Sequence, residues 1–188
     1  ARVAVLISGG GTNLQAIIDR LAAGELPHVE LALVVSSRKN AGGLDRADRA
    51  GIKHVYIGKE NFEQDLIKLL EEHEIDIIVL AGFLKILSSD FVSRYPDRII
   101  NVHPSLIPSF CGDGFYGLRV HEAALSYGVK VTGATVHFVN EVTDGGKIIA
   151  QRAVDVKDGD TPEILQRRVM EEAEWKLLPA AVEKVAAE

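Results

Sequence analysis

Asn101 and His103 are two residues apart in Asn101-Val102-His103-Pro104, at the end of an apolar stretch that begins at Arg98. In extended chain, residues i and i+2 face the same side. An amide and an imidazole would then be aimed at one point. An amide N–H can hold a carbonyl oxygen as it gains negative charge, and an imidazole can carry a proton to or from a reacting group. A lone histidine at a strand end is an ordinary structural residue, so the weight lies in the set. Its distant member is Asp144, in Thr143-Asp144-Gly145-Gly146 after a second apolar run. By itself that sequence is a good turn.

A second constellation lies near the start, in Ser8-Gly9-Gly10-Gly11-Thr12-Asn13. Glycines between a strand and a helix let backbone N–H groups approach an anion, and the helix N-terminus adds a positive dipole. Thr12 and Asn13 add side-chain donors, so the loop suits a phosphate. The plain alternative is a tight turn closed by a Thr12–Gln15 capping box. A dinucleotide site fits poorly. The third glycine of its motif would fall at Leu14, and the second strand ends in Ser36-Ser37-Arg38 without an acidic residue. A Walker A loop is absent.

The remaining reactive residue types are read more plainly. Cys111 is the one cysteine, which forbids a disulfide within the chain and suits a reducing compartment. No base partner for it is evident. His137 reads as a hydrogen-bonded core residue, and His121 and Trp175 as packing residues on helices. His28, His54 and His73 lack metal-ligand spacing, and no metal is expected. The formal net charge of −6 argues against nucleic acid or an anionic membrane as the main partner. The apolar run Val3–Ile7 is too short for a signal peptide or a membrane helix. The expected location is the cytoplasm.

The elements that must position these groups alternate regularly. Strands are expected at Val3–Ile7, Glu30–Val35, His54–Ile57, Ile75–Leu80 and Arg98–Val102. Helices are expected at Thr12–Ala23, Ala41–Ala50, Asn61–His73 and Ser88–Arg94. This rhythm gives an α/β fold: a doubly wound, Rossmann-like, mostly parallel sheet with helices on both faces. In the second half, a helix at Val120–Tyr127 precedes two β-rich stretches, Lys130–Val139 and Lys147–Val156. These are expected to pair antiparallel. Thr161-Pro162-Glu163 starts the last helix, which runs to the C-terminus. With no linker or composition break, residues 1–188 read as one domain.

Four stretches now combine: Val5–Gln15, Leu80–Leu87, Asn101–Pro108, and Thr135–Val139 through Asp144-Gly145. In this order, spread over nearly the whole chain, they resemble the phosphoribosylglycinamide formyltransferase family, the folate-dependent formyltransferases of purine biosynthesis. The resemblance implies transfer of a formyl group from 10-formyltetrahydrofolate to the amine of glycinamide ribonucleotide. It implies small-molecule partners, and it leaves the oligomeric state open. It also implies roles. Gly11, Thr12 and Asn13 would hold the substrate phosphate. Asn101 would hold the formyl oxygen, His103 would be the general acid, and Asp144 would raise the basicity of His103 and help relay the proton. Leu84, Lys85, Ile86 and Leu87 would border the pterin slot, with Val92 and Ile99 nearby. Lys59 matches a basic folate-contacting position, and Glu174 a carboxylate that contacts the ribonucleotide. The N-terminal half would bind the nucleotide, and the C-terminal half would bind folate and carry the chemistry.

Two departures from the family pattern stand out. Ser109–Arg119 is longer than in many members, and Trp175 follows Glu174 where the family often has histidine. Two other readings remain: a related formyltransferase or hydrolase with a different acceptor, and a non-catalytic nucleotide-binding module.

Overall fold

A computed structural model describes all 188 residues. Its strands are β1 (Arg2–Ile7), β2 (Glu30–Ser36), β3 (His54–Tyr56), β4 (Ile77–Leu80), β5 (Ile99–His103), β6 (Val131–Phe138) and β7 (Ile148–Asp155). Its α-helices are α1 (Thr12–Ala22), α2 (Gly42–Arg49), α3 (Phe62–Glu72), α4 (Ser89–Ser93), α5 (Leu118–Tyr127), α6 (Pro162–Val169) and α7 (Trp175–Ala186). All seven strands form one sheet in the order β3-β2-β1-β4-β5-β6-β7. The pairs from β3 to β5 are parallel, as expected from the alternating elements. The β6–β7 pair is antiparallel, also as expected, and β5–β6 is antiparallel as well.

The period of two along a strand divides the core between the two faces of the sheet. Val3, Val5 and Ile7 of β1 pack with Leu14 and Ile17 of α1 and with Leu178 and Val182 of α7. Ala4 and Leu6 face the other way, towards Leu66 and Leu70 of α3 and Phe91 of α4. Strands buried on both faces read as continuous apolar runs, which is why β1 and β4 carry almost no polar residue.

The chain runs outward from β1 in both directions, with β2 on one side and β4 on the other. Such a reversal opens a crevice beyond the carboxyl ends of the two strands. The glycine loop leaves β1 there, and residues 81–87 leave β4.

Two local expectations are corrected. Thr12 is not a cap: Gly11 is, with a left-handed backbone and no side-chain hydrogen bond. Gln15 cannot close a capping box because its amide is engaged elsewhere, donating to Asp19 and accepting from Arg46. The last helix does run unbroken from Pro162 to Ala186, but not with α geometry throughout. Met170–Glu174 forms a π-helical turn between α6 and α7. Thr161 does cap α6, accepting from the Ile164 N–H. No helix is long and apolar enough to cross a membrane.

Candidate active site

The antiparallel register of β5 and β6 sets Asn101 opposite His137 and His103 opposite Thr135. Residues two apart on each strand share a face, so these four side chains stand together. His137 donates from Nδ1 to the Phe138 carbonyl at 2.9 Å. A carbonyl only accepts, so Nδ1 carries a hydrogen, and neutral His137 presents a lone pair at Nε2. Asn101 Nδ2 lies 3.3 Å from that Nε2. The amide is thereby oriented, and its second N–H stays free to donate elsewhere. The register of β6 with β7 shifts between Val136 and His137. Irregularities of this kind re-aim side chains beside active sites.

His103 is fixed in the complementary way. Its Nε2 lies 2.8 Å from the Phe110 carbonyl, so Nε2 carries the hydrogen. Nδ1 is then the atom that gains or loses a proton. It faces Asp144 Oδ2 at 3.7 Å, while the other carboxylate oxygen faces His137 Nε2 at 3.6 Å. Both distances are ion-pair approaches, too long for good hydrogen bonds. Asp144 Oδ2 also accepts from the Gly112 N–H at 2.9 Å. Burial pushes the Asp144 carboxyl up. The nearby His137 ring, the Gly112 hydrogen bond and the charge of His103 outweigh it, and the group ends below its ordinary value. Asp144 is therefore a carboxylate at neutral pH. Phe110 and Asp144, the two residues that frame His103, both have positive φ without being glycine. For a phenylalanine that backbone is unusual, and such conformations concentrate at functional sites.

The segment after β4 borders this cluster, because Leu80 pairs with Asn101. Leu84 is 52% exposed and Ile86 84% exposed, an apolar rim that no other part of the chain covers. Leu84 N donates to Ser8 Oγ at 2.9 Å, which ties the rim to the end of β1. Lys85 Nζ sits 4.9 Å over the Phe62 ring. Leu87 is half-buried. Val92 and Ile99 are not on the rim. They lie in the core beneath it, against α3 and α4. Lys59 is exposed between β3 and α3.

At the glycine loop, Gly11 has φ +76°, and a Cβ there would come within 2.7 Å of the Gly43 Cα. Only glycine fits. A Cβ on Gly9 or Gly10 would meet nothing within 4 Å, so these two leave open space over the backbone. Asn13 is buried and donates from Nδ2 to Glu174 Oε1 at 3.2 Å. Asn13 Oδ1 and Glu174 Oε2 are buried without a partner. Burial pushes the Glu174 carboxyl up to about 7, against the Asn13 hydrogen bond. Glu174 lies in the π-helical turn, a widened geometry frequent at functional sites.

Three residues near these sites were not legible as functional in the sequence. His137 is a hydrogen-bonded core histidine, as expected, but besides the Phe138 carbonyl its bond runs to Asn101, and its Nε2 faces Asp144. Only the antiparallel β5–β6 pairing reveals that. His121 is 1% exposed with both ring nitrogens unpartnered, and burial with the nearby His103 charge lowers it to about 4. Arg46 donates from Nε to the Gly10 carbonyl at 2.6 Å.

A family model described as formyl transferase matches residues 1–182. The human trifunctional purine biosynthetic protein adenosine-3 is 47% identical over 99% of this chain, which spans only 18% of that relative's length. The phosphoribosylglycinamide formyltransferase of Haemophilus influenzae is 38% identical, over 96% of this chain and 85% of its own. Among solved structures, glycinamide ribonucleotide transformylase 1 from Symbiobacterium toebii superposes with a TM-score of 0.91 at 41% identity, covering 99% of this chain and 87% of that one. The catalytic-type cluster, the glycine loop and the sheet order thus sit in a chain whose match extends nearly end to end, and the chain belongs to the formyl transferase family.

Proposed function

We propose that this chain is a single formyltransferase domain that passes the formyl group of 10-formyltetrahydrofolate to the amine of glycinamide ribonucleotide. The observation that carries the reading is the meeting of an amide donor, an imidazole and a carboxylate at the carboxyl edge of the sheet, between an apolar rim and a glycine loop. The rim at Leu84 and Ile86 fits a flat aromatic ring, with Lys85, Leu87 and Lys59 beside it and Val92 and Ile99 as underlying support. When bound, the folate supplies a formyl carbon attached to a nitrogen leaving group.

The chain's residues then divide the work. The free N–H of Asn101 donates to the formyl oxygen as negative charge develops, the electrostatic contribution that dominates acyl transfer. His103 gives a proton from Nδ1 to the departing nitrogen, because its Nε2 is committed to Phe110. Asp144 supplies the counter-charge to the imidazolium and helps relay the proton lost by the attacking amine to His103 Nδ1, which restores the acid. Gly11, Thr12 and Asn13 offer backbone amides to the substrate phosphate at the start of α1, and Glu174 faces the ribonucleotide. In this division the N-terminal half holds the nucleotide, and the C-terminal half carries the chemistry.

The test is direct. The pure chain is mixed with glycinamide ribonucleotide and a 10-formylfolate, and deformylated folate is followed by absorbance. Formation that depends on the ribonucleotide supports the reading. Release of formate without an acceptor, or formylation of methionyl-tRNA in its place, would overturn it.

A further inference from the structure

We infer that α2 aims the glycine loop, and that Arg46 is the positioning residue through which it does so. The inference rests on the reading of that loop as a phosphate site. The Gly43 N–H donates to the Gly9 carbonyl at 3.0 Å, and Arg46 Nε donates to the Gly10 carbonyl at 2.6 Å. Two consecutive carbonyls of the loop are thus held by one helix. A trans peptide is planar, and its N–H points opposite its C=O. Turning the Gly9 and Gly10 carbonyls towards α2 therefore turns the Gly10 and Gly11 amides away from it, and a Cβ on Gly9 or Gly10 would meet nothing within 4 Å, so the loop backbone is open to an approaching group.

Arg46 also donates from an Nη to Gln15 Oε1 at 3.3 Å, reaching across the first turn of α1. Its planar fork bridges the loop backbone and that turn, a geometry an ammonium cannot reproduce. The contact also explains why Gln15 forms no capping box. The loop and α2 touch so closely that a Cβ on Gly11 would come within 2.7 Å of the Gly43 Cα. At the other end of the loop Asn13 Oδ1 is buried and unpartnered, an acceptor that no group of the chain satisfies.

The experiment compares Arg46→Met and Arg46→Lys with the parent chain, using inorganic phosphate as the probe. Phosphate should inhibit the parent competitively against the ribonucleotide. In Arg46→Met, the phosphate inhibition constant and the ribonucleotide KM should both rise roughly tenfold, the loss of one charge-assisted hydrogen bond. The folate KM and the melting temperature should stay near the parent values. Arg46→Lys keeps the charge and loses the fork, so it should behave like Arg46→Met. Full recovery in Arg46→Lys would overturn positioning in favour of charge alone. Unchanged phosphate inhibition in both variants would overturn it outright. Failure of phosphate to compete in the parent chain would instead overturn the phosphate reading of the loop.

Discussion

Asn13 and Glu174 share a buried hydrogen bond of 3.2 Å although 161 positions separate them. It joins the glycine loop after β1 to the π-helical turn before α7, and each partner keeps one oxygen unpartnered. Burial is the larger influence on Glu174 and pushes it up to about 7.

The first prediction follows from that carboxyl. Between its unfolded value of about 4.5 and its folded value of about 7, Glu174 binds more protons in the folded chain than in the unfolded one. Its contribution to stability thus worsens as pH rises through this window and is most unfavourable above 7. The full span is about 3 kcal/mol. Glu174→Gln keeps an acceptor for Asn13 and removes the charge. Thermal melts from pH 5 to 8 should show the variant gaining on the parent as pH rises. Parallel curves would count against a buried, unpartnered carboxyl.

The second prediction concerns the reacting groups. Asn101→Ala and His103→Ala should each lower kcat by roughly 10²–10³, the cost typical of losing an oxyanion donor. Ribonucleotide KM should change far less, because the lost interactions belong to the transition state. Asp144→Asn should fold normally and lose rate, since the imidazolium loses its counter-charge. Steady-state kinetics with a thermal melt of each variant decides this. A fully active, well-folded His103→Ala chain would eliminate the acid role.

His137→Phe provides a third test. An aromatic ring is kept, but the lone pair that orients Asn101 is gone. We expect kcat to fall about fivefold, comparable to the loss of one hydrogen bond at about 1 kcal/mol, with both KM values nearly unchanged. Parent-like turnover would show that Asn101 is held by other contacts.

His121 supports a fourth. Both of its ring nitrogens are buried without partners, which costs free energy in the folded chain. Burial and the His103 charge hold it near 4, below its unfolded value of 6.5. The unfolded chain therefore binds more protons between about 6.5 and 4, and this site loses stability as pH falls through that window. His121→Phe should raise the melting temperature, and the gain should grow towards pH 4.5. A lower melting temperature at every pH would show that the imidazole nitrogens are satisfied in solution.

The sequence alone determined the parallel half of the sheet, because apolar runs buried on two faces and helices with one apolar stripe have different periods. It determined the antiparallel pairing of the last two strands, the Thr161 cap and the family. It also brought Asn101 and His103 to one face, since alternation along a strand is local. What it could not determine depended on partners distant in the chain. Thr12 and Gln15 have the types of a capping box, but Gln15 is taken by Asp19 and Arg46 and the box does not form. The π-helical turn that presents Glu174 leaves no mark in composition, because it is a choice between i→i+4 and i→i+5 bonding made by packing. His137 reads as an ordinary core histidine until β6 pairs antiparallel with β5 and sets it opposite Asn101. Which nitrogen of His103 faces Asp144 was decided by the Phe110 carbonyl, in a loop that approaches His103 only in the folded chain. Local periodicity is written in the sequence, whereas hydrogen-bond partners are assigned by which segments the tertiary fold brings within 3 Å of one another.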